Sequence, residues 1–140
     1  MFLLLAIRLY WGYAFLISGW GKLHDVSSVA DYFATLDIPF PLINTYLVSW
    51  VEFLGGFFLL IGFAARLVAI PLSINMIVAY LTAHYPSVQM AWENPDGFIK
   101  ESPFNFLLAS LIIFAFGPGK ISVDYCLEKL FFKNTIREPQ

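Results

Sequence analysis

Four long runs of apolar residues, about Phe2 to Trp20, Leu42 to Ala65, Leu67 to Ala83 and Phe104 to Phe116, account for most of the chain and alternate with short polar stretches. At a rise of about 1.5 Å per residue, some 20 residues cross the ~30 Å hydrocarbon core of a bilayer, where only helices and closed barrels satisfy the backbone. The pattern therefore predicts transmembrane helices over about 2–20, 42–65, 67–83 and 104–117, the last spanning only ~20 Å and so short for a full crossing. After Gly117-Pro118-Gly119, Val123, Leu127, Leu130 and Phe131 share one side of a further helical stretch. The expected fold is all-α, a polytopic membrane four-helix bundle with a C-terminal amphipathic surface helix. Residues 1–140 form a single integral membrane domain on this reading.

The polar positions inside the apolar runs are ordered. Arg8, Gly12, Phe15, Gly19 and Lys22 recur on one face of the first helix, and Glu52, Gly55 or Gly56, Leu59, Gly62 and Arg66 repeat the device on the second. Glycines at this spacing let transmembrane helices approach closely, so Gly12, Gly19, Gly55, Gly56 and Gly62 are expected packing positions. Glu52 is an acid deep in an apolar run, where a charge costs roughly 2.5 to 3.5 kcal/mol on insertion scales and needs a partner. Counting inward from Trp20 and Leu42, Arg8 lies within roughly 5 Å of the same depth, and the expected partner is Arg8. Lys22 and Arg66 are assigned to the two membrane interfaces.

Such a pair serves either as a structural ion pair fixing helix register or as the polar floor of an outward-facing cavity. In the second case Tyr10, Trp11, Tyr13, Asn75 and Asn105 are candidate walls, and donors among rings would suit a quinone head group. Asn75 acts as glue between helices or as a ligand contact, and Pro71 frees a carbonyl that Ser73, Asn75 or a neighbouring helix must satisfy. The connection from His24 to Pro41 predicts a short surface helix with Val29, Phe33 and Leu36 on one face, capped by Ser27 or Ser28. The longer one after His84 is expected to fold back, through Trp92 and Phe98, onto the bundle or the headgroup layer, where indoles prefer to sit. His24 and His84 are weak candidates for metal or haem, solvated interface histidines being commoner.

Composition narrows the function classes. The chain has 140 residues, 59% of them hydrophobic and 13% charged, about half the charge of an ordinary soluble domain. Its net charge of -2 and lack of a basic stripe exclude nucleic acid as a partner. Cys126 is the single cysteine, so redox chemistry requires a bound cofactor or a partner protein. No self-contained catalytic motif is discernible. Arg66, Lys120, Lys129, Lys133 and Arg137 flank the spans on one side, Lys22 and Lys100 on the other, which puts both termini in the cytoplasm.

Three constellations, Arg8-x3-Gly12-x2-Phe15-x2-Ser18-Gly19-x2-Lys22, Glu52-x2-Gly55-Gly56-x5-Gly62-x3-Arg66 and Gly117-Pro118-Gly119-x2-Ser122-x-Asp124, together resemble the DoxX family. The resemblance implies a small four-helix protein of the bacterial inner membrane. The family's name comes from a subunit of a quinone-linked thiosulfate oxidoreductase, and some members look like membrane partners of redox enzymes. Many members carry a carboxylate on the fourth helix where this chain has Asn105. The leading expectation is a protein of membrane redox metabolism that binds a quinone-like or other lipophilic ligand beside a partner enzyme. An assembly or chaperone subunit and a transporter of protons or a small solute are the alternatives, and a homo-oligomer is compatible with each.

Overall fold

The computed structural model describes residues 2–135, with side chains as far as Phe131, and among these residues every regular element is a helix. They are α1 (Phe2–His24), α2 (Val26–Thr35), α3 (Pro41–Ile61), α4 (Ala65–Thr82), α5 (Tyr85–Gln89), α6 (Pro95–Lys100), α7 (Ser102–Phe116) and α8 (Val123–Thr135). Arg137 lies outside the described residues, as does the side chain of Lys133.

Helices α1, α3 and α4 are long and apolar enough to cross a membrane. With 15 residues α7 rises only about 22 Å. Leu9 and Ile17 of α1, Leu47 and Phe57 of α3, and Leu67 and Ile74 of α4 point away from the bundle. Arg8, Glu52, Thr45, Ser49 and Ser110 are buried inside it. An apolar exterior around a polar and small-residue interior is the distribution that lipid as solvent selects, and the chain is a multi-pass membrane protein.

Packing centres on α1 against α3, and glycine sets its closeness. A Cβ on Gly19 would stand 2.7 Å from the carbonyl oxygen of Ser49 and closer still to the backbone of Phe53, while one on Gly56 would stand 2.6 Å from that of Gly12. The two backbones thus touch at two levels along the helices. Because lipid supplies no hydrophobic drive between helices, this contact area holds the pair. Gly55 faces the other way, onto the side chain of Leu72 in α4. Phe15, Leu59, Leu72 and Ile113, all fully buried, join α1, α3, α4 and α7 in one core.

Helix α3 does not run on to Arg66. It ends at Gly62, which takes the left-handed conformation at φ 69° and closes the last turn with its amide on Leu59 and Phe58, and α4 begins three residues later. Arg66 therefore belongs to the first turn of α4. Ala64 is also left-handed, at φ 46°, an arrangement that costs a residue with a Cβ of order 1 kcal/mol or more and needs outside support. Asp124 gives that support: its carboxylate accepts the amides of Ala64 at 2.6 Å and Ala65 at 3.1 Å, and its own amide donates to Gly62 O at 3.0 Å.

The connections and the helix at Pro71 show the following details. The cap of α2 is Asp25, whose carboxylate accepts the amide of Ser28 at 3.3 Å, rather than Ser27 or Ser28. Hydrogen bonds from Ser28, its hydroxyl first and its amide second, hold the Asp25 carboxyl below the usual carboxylate range. The segment after α4 folds into α5 and α6, with Phe98 stacked on Tyr80 at 4.7 Å against the bundle and Trp92 97% exposed on its outside. At Pro71, neither Ser73 nor Asn75 repairs the interrupted ladder: Ser73 Oγ is buried without a hydrogen-bond partner among the described residues, and Asn75 is engaged elsewhere.

Candidate functional site

The register of α1 on α3 decides which charges meet. With Gly12 against Gly56 and Gly19 against Ser49 and Phe53, Glu52 comes level with Ser18, and Lys22 reaches it from the next turn. Lys22 Nζ donates to both carboxylate oxygens, at 2.6 and 2.5 Å, Ser18 Oγ donates at 2.8 Å and Asn75 Nδ2 from α4 at 2.9 Å. Four donated bonds saturate an acceptor-only group that is 2% exposed. The carboxylate also fixes the amide orientation of Asn75, since only its nitrogen can donate.

The expected Arg8–Glu52 pair does not form. The ends of α1 and α3 are not level: Gly12 against Gly56 and Gly19 against Ser49 bring Glu52 level with Ser18, and Arg8, ten residues earlier on α1, lies about 15 Å deeper. Arg8 lies at the opposite end of the bundle, 3% exposed, donating from Nη1 to the carbonyl of Pro118 at 2.8 Å and within electrostatic reach of Asp124. The glycine-proline-glycine turn and Asp124 thus complete a second polar cluster around Arg8, and Lys22 takes the role first given to Arg8. Gly62 belongs to this second cluster, its Cα facing the Arg8 guanidinium and Ser122.

Above the Lys22–Glu52 cluster lies a cavity of about 330 Å³, within the range of roughly 300 to 1,000 Å³ usual for small-molecule sites. Ser18, Lys22, Glu52 and Asn75 form its polar floor, and Phe33, Val48, Met76 and Phe106 are among its apolar walls. Helix α2 covers it with Val29, Tyr32, Phe33 and Leu36, and His84 and Ser102 stand at its rim beside the α5–α6 segment. His84 Nδ1 lies 2.7 Å from Glu101, which also accepts the Ser87 hydroxyl at 2.8 Å, tying that segment down locally.

Of the walls expected from sequence, only Asn75 is present. Tyr10 and Tyr13 are 68% and 60% exposed on the outer face of α1, Asn105 is exposed on α7, and Trp11 packs edge-on against Phe106 at 5.0 Å, outside the cavity lining. His24 and His84 do not meet: His24 Nδ1 is 3.0 Å from the carbonyl of Trp20 in its own helix. Arg66 is exposed at the far end, against the Gly117 turn. What sequence reasoning missed is the part played by Ser18 and α2. Both left a signal, because Ser18 is one turn before Lys22 and the Val29, Phe33 and Leu36 spacing marks a face that needed something to cover.

A protein from Haemophilus influenzae, described as uncharacterized, is 27% identical to the chain over 132 residues, covering 91% of this chain and 85% of that protein. No solved structure matches. The family model named DoxX matches residues 3–85, which contain the whole of the Ser18, Lys22, Glu52 and Asn75 cluster and the α2 cover, while the Gly117–Asp124 turn lies beyond the matched region. With more than half its length in that match, the chain belongs to the DoxX family.

Proposed function

We propose that this single membrane domain binds a lipophilic ligand with a carbonyl-bearing head group, of the quinone class, and serves membrane redox metabolism beside a partner enzyme. The observation that carries the reading is the cavity of about 330 Å³ with apolar walls and one concentrated polar floor. Lys22 and Asn75 have more N–H groups than Glu52 consumes, and a carbonyl entering the cavity finds them there. Phe33 and Phe106 put aromatic rings in the lining, where a ligand ring can pack against them. The role of Glu52 in this reading is to hold both donors in place.

The test is extraction and mass spectrometry of what co-purifies, followed by thermal stabilisation with a short-chain quinone. Native protein is expected to carry or be stabilised by quinone, and Asn75→Leu to lose that response while keeping its helical content. A protein that purifies with a stoichiometric protein partner, no small molecule and no stabilisation by quinone is an assembly subunit, and the reading fails.

The proposal places the chain in the bacterial inner membrane with the α2 end outside and both termini inside, following the bias of Arg66, Lys120 and Lys129 toward one end. A reporter fused after Gln140 is expected to be active only in the cytoplasm and one inserted near Asn94 only outside. The reverse pattern overturns this orientation and leaves the ligand reading intact.

A further inference from the structure

At the end of the bundle opposite the cavity, a second cleft of about 540 Å³ lies between the start of α4, the Gly117-Pro118-Gly119 turn and the first turns of α8. Its charged lining is Arg66, Lys120, Asp124 and Glu128. Asp124 is committed to the amides of Ala64 and Ala65. Among the described residues, Arg66, Lys120 and Glu128 have no ion pair or side-chain hydrogen bond. All three are exposed, so the cleft offers charges of both signs that no other described group occupies.

The setting defines the ligand. The cleft opens where α4 begins and α7 ends, at the end of the apolar helices, and Leu67 and Phe116 on its border are 70% and 69% exposed. Helix α8 presents Asp124, Tyr125 and Glu128 to the cleft and leaves Leu130 and Phe131 exposed. A molecule seated here has its polar part among Arg66, Lys120 and Glu128 and its apolar part against Leu67 and Phe116. Gly117, at φ 77°, is part of the construction: a Cβ there would press on the Arg66 guanidinium at 3.1 Å, so its absence lets that side chain lie over the turn.

We infer that this cleft binds the head group of an amine-bearing phospholipid, the phosphate between Arg66 and Lys120 and the ammonium at Glu128. Arginine and lysine are the two side chains that recognise phosphate oxygens, one by its planar fork and one as a point charge. A purely anionic head group meets the Glu128 carboxylate without a counter-charge, which is why the amine is specified. Tyr125 adds a hydroxyl within the same lining.

The experiment is native mass spectrometry of the full chain released from membranes of equal phosphatidylethanolamine and phosphatidylglycerol content, with phosphoethanolamine and inorganic phosphate as soluble competitors. The chain is expected to retain phosphatidylethanolamine in preference, and the double variant R66Q/K120Q to bind it at least tenfold more weakly, each basic residue near a lipid surface being worth roughly a fivefold factor. In E128Q phospholipid binding persists and the preference between the two head groups disappears. All three side chains are outside the core, so the variants fold, and unchanged melting temperature verifies it. Undiminished lipid retention in R66Q/K120Q overturns the inference. Displacement by inorganic phosphate as effective as by phosphoethanolamine also overturns it, because the site then reads phosphate alone.

Discussion

Lys22→Met is expected to destabilise the bundle by about 3 to 5 kcal/mol, the usual loss when one member of a buried pair is removed and its partner is left charged and unpaired. Glu52 is the side chain stranded: it is 2% exposed, and Ser18 and Asn75 supply neutral hydrogen bonds but no compensating charge. Glu52→Leu removes an acceptor shared by three side chains and is also destabilising, though Lys22, 28% exposed at its side chain, can turn toward water. The double variant Lys22→Met with Glu52→Leu should recover part of the loss, since it buries no charge. Denaturant unfolding in detergent or bicelles measures all three. A double variant whose loss equals the sum of the singles would show that the two positions are uncoupled.

Gly56→Ala is the second large effect, expected at about 1 to 3 kcal/mol and more for any bulkier residue. Its Cβ would meet the backbone of α1 at Leu16 and Gly12, and backbone on two packed helices cannot step aside as a side chain can. Gly19→Ala carries the same expectation from the opposite side, against Ser49 and Phe53. Gly21→Ala is the internal control. It lies on the same helix with open space around its Cα, so the substitution gains helix propensity and is expected to be neutral or stabilising by up to ~1 kcal/mol. Equal melting temperatures for Gly56→Ala and Gly21→Ala would dismiss close backbone approach as the basis of α1–α3 packing.

These two expectations explain how much of the fold and site was legible in the chain. The helices followed from apolar run length, and the glycine stripes marked the faces of α1 and α3, because both depend on composition and period within one element. Register between helices does not. Arg8 and Lys22 lie on the same face of α1 but nearly four turns apart, about 21 Å, and which of them meets Glu52 is decided by the register that the Gly12–Gly56 and Gly19–Ser49 contacts set between the two helices. The break after α3 was present in the sequence as Gly62, but an apolar stretch through Phe63, Ala64 and Ala65 hid it, since lipid-exposed helix and a tight corner draw on the same residues there. The cavity cover was half legible. The periodicity of Val29, Phe33 and Leu36 defined an apolar face, whereas its target, the space above Glu52, exists only once α1, α3, α4 and α7 have met.

The hydrogen bonds of Asp124 to Ala64 and Ala65 have a consequence for how the chain is made. The corner between α3 and α4 is closed by a residue translated 60 positions after it, whereas the Ser18, Lys22, Glu52 and Asn75 cluster has its last member at position 75. During synthesis the two polar clusters therefore gain their last members at different moments. The one around Glu52 has all its members once Asn75 is made, ahead of the α7 wall of the cavity, and the other leaves a strained alanine and open amides until α8 brings Asp124 to lock the corner.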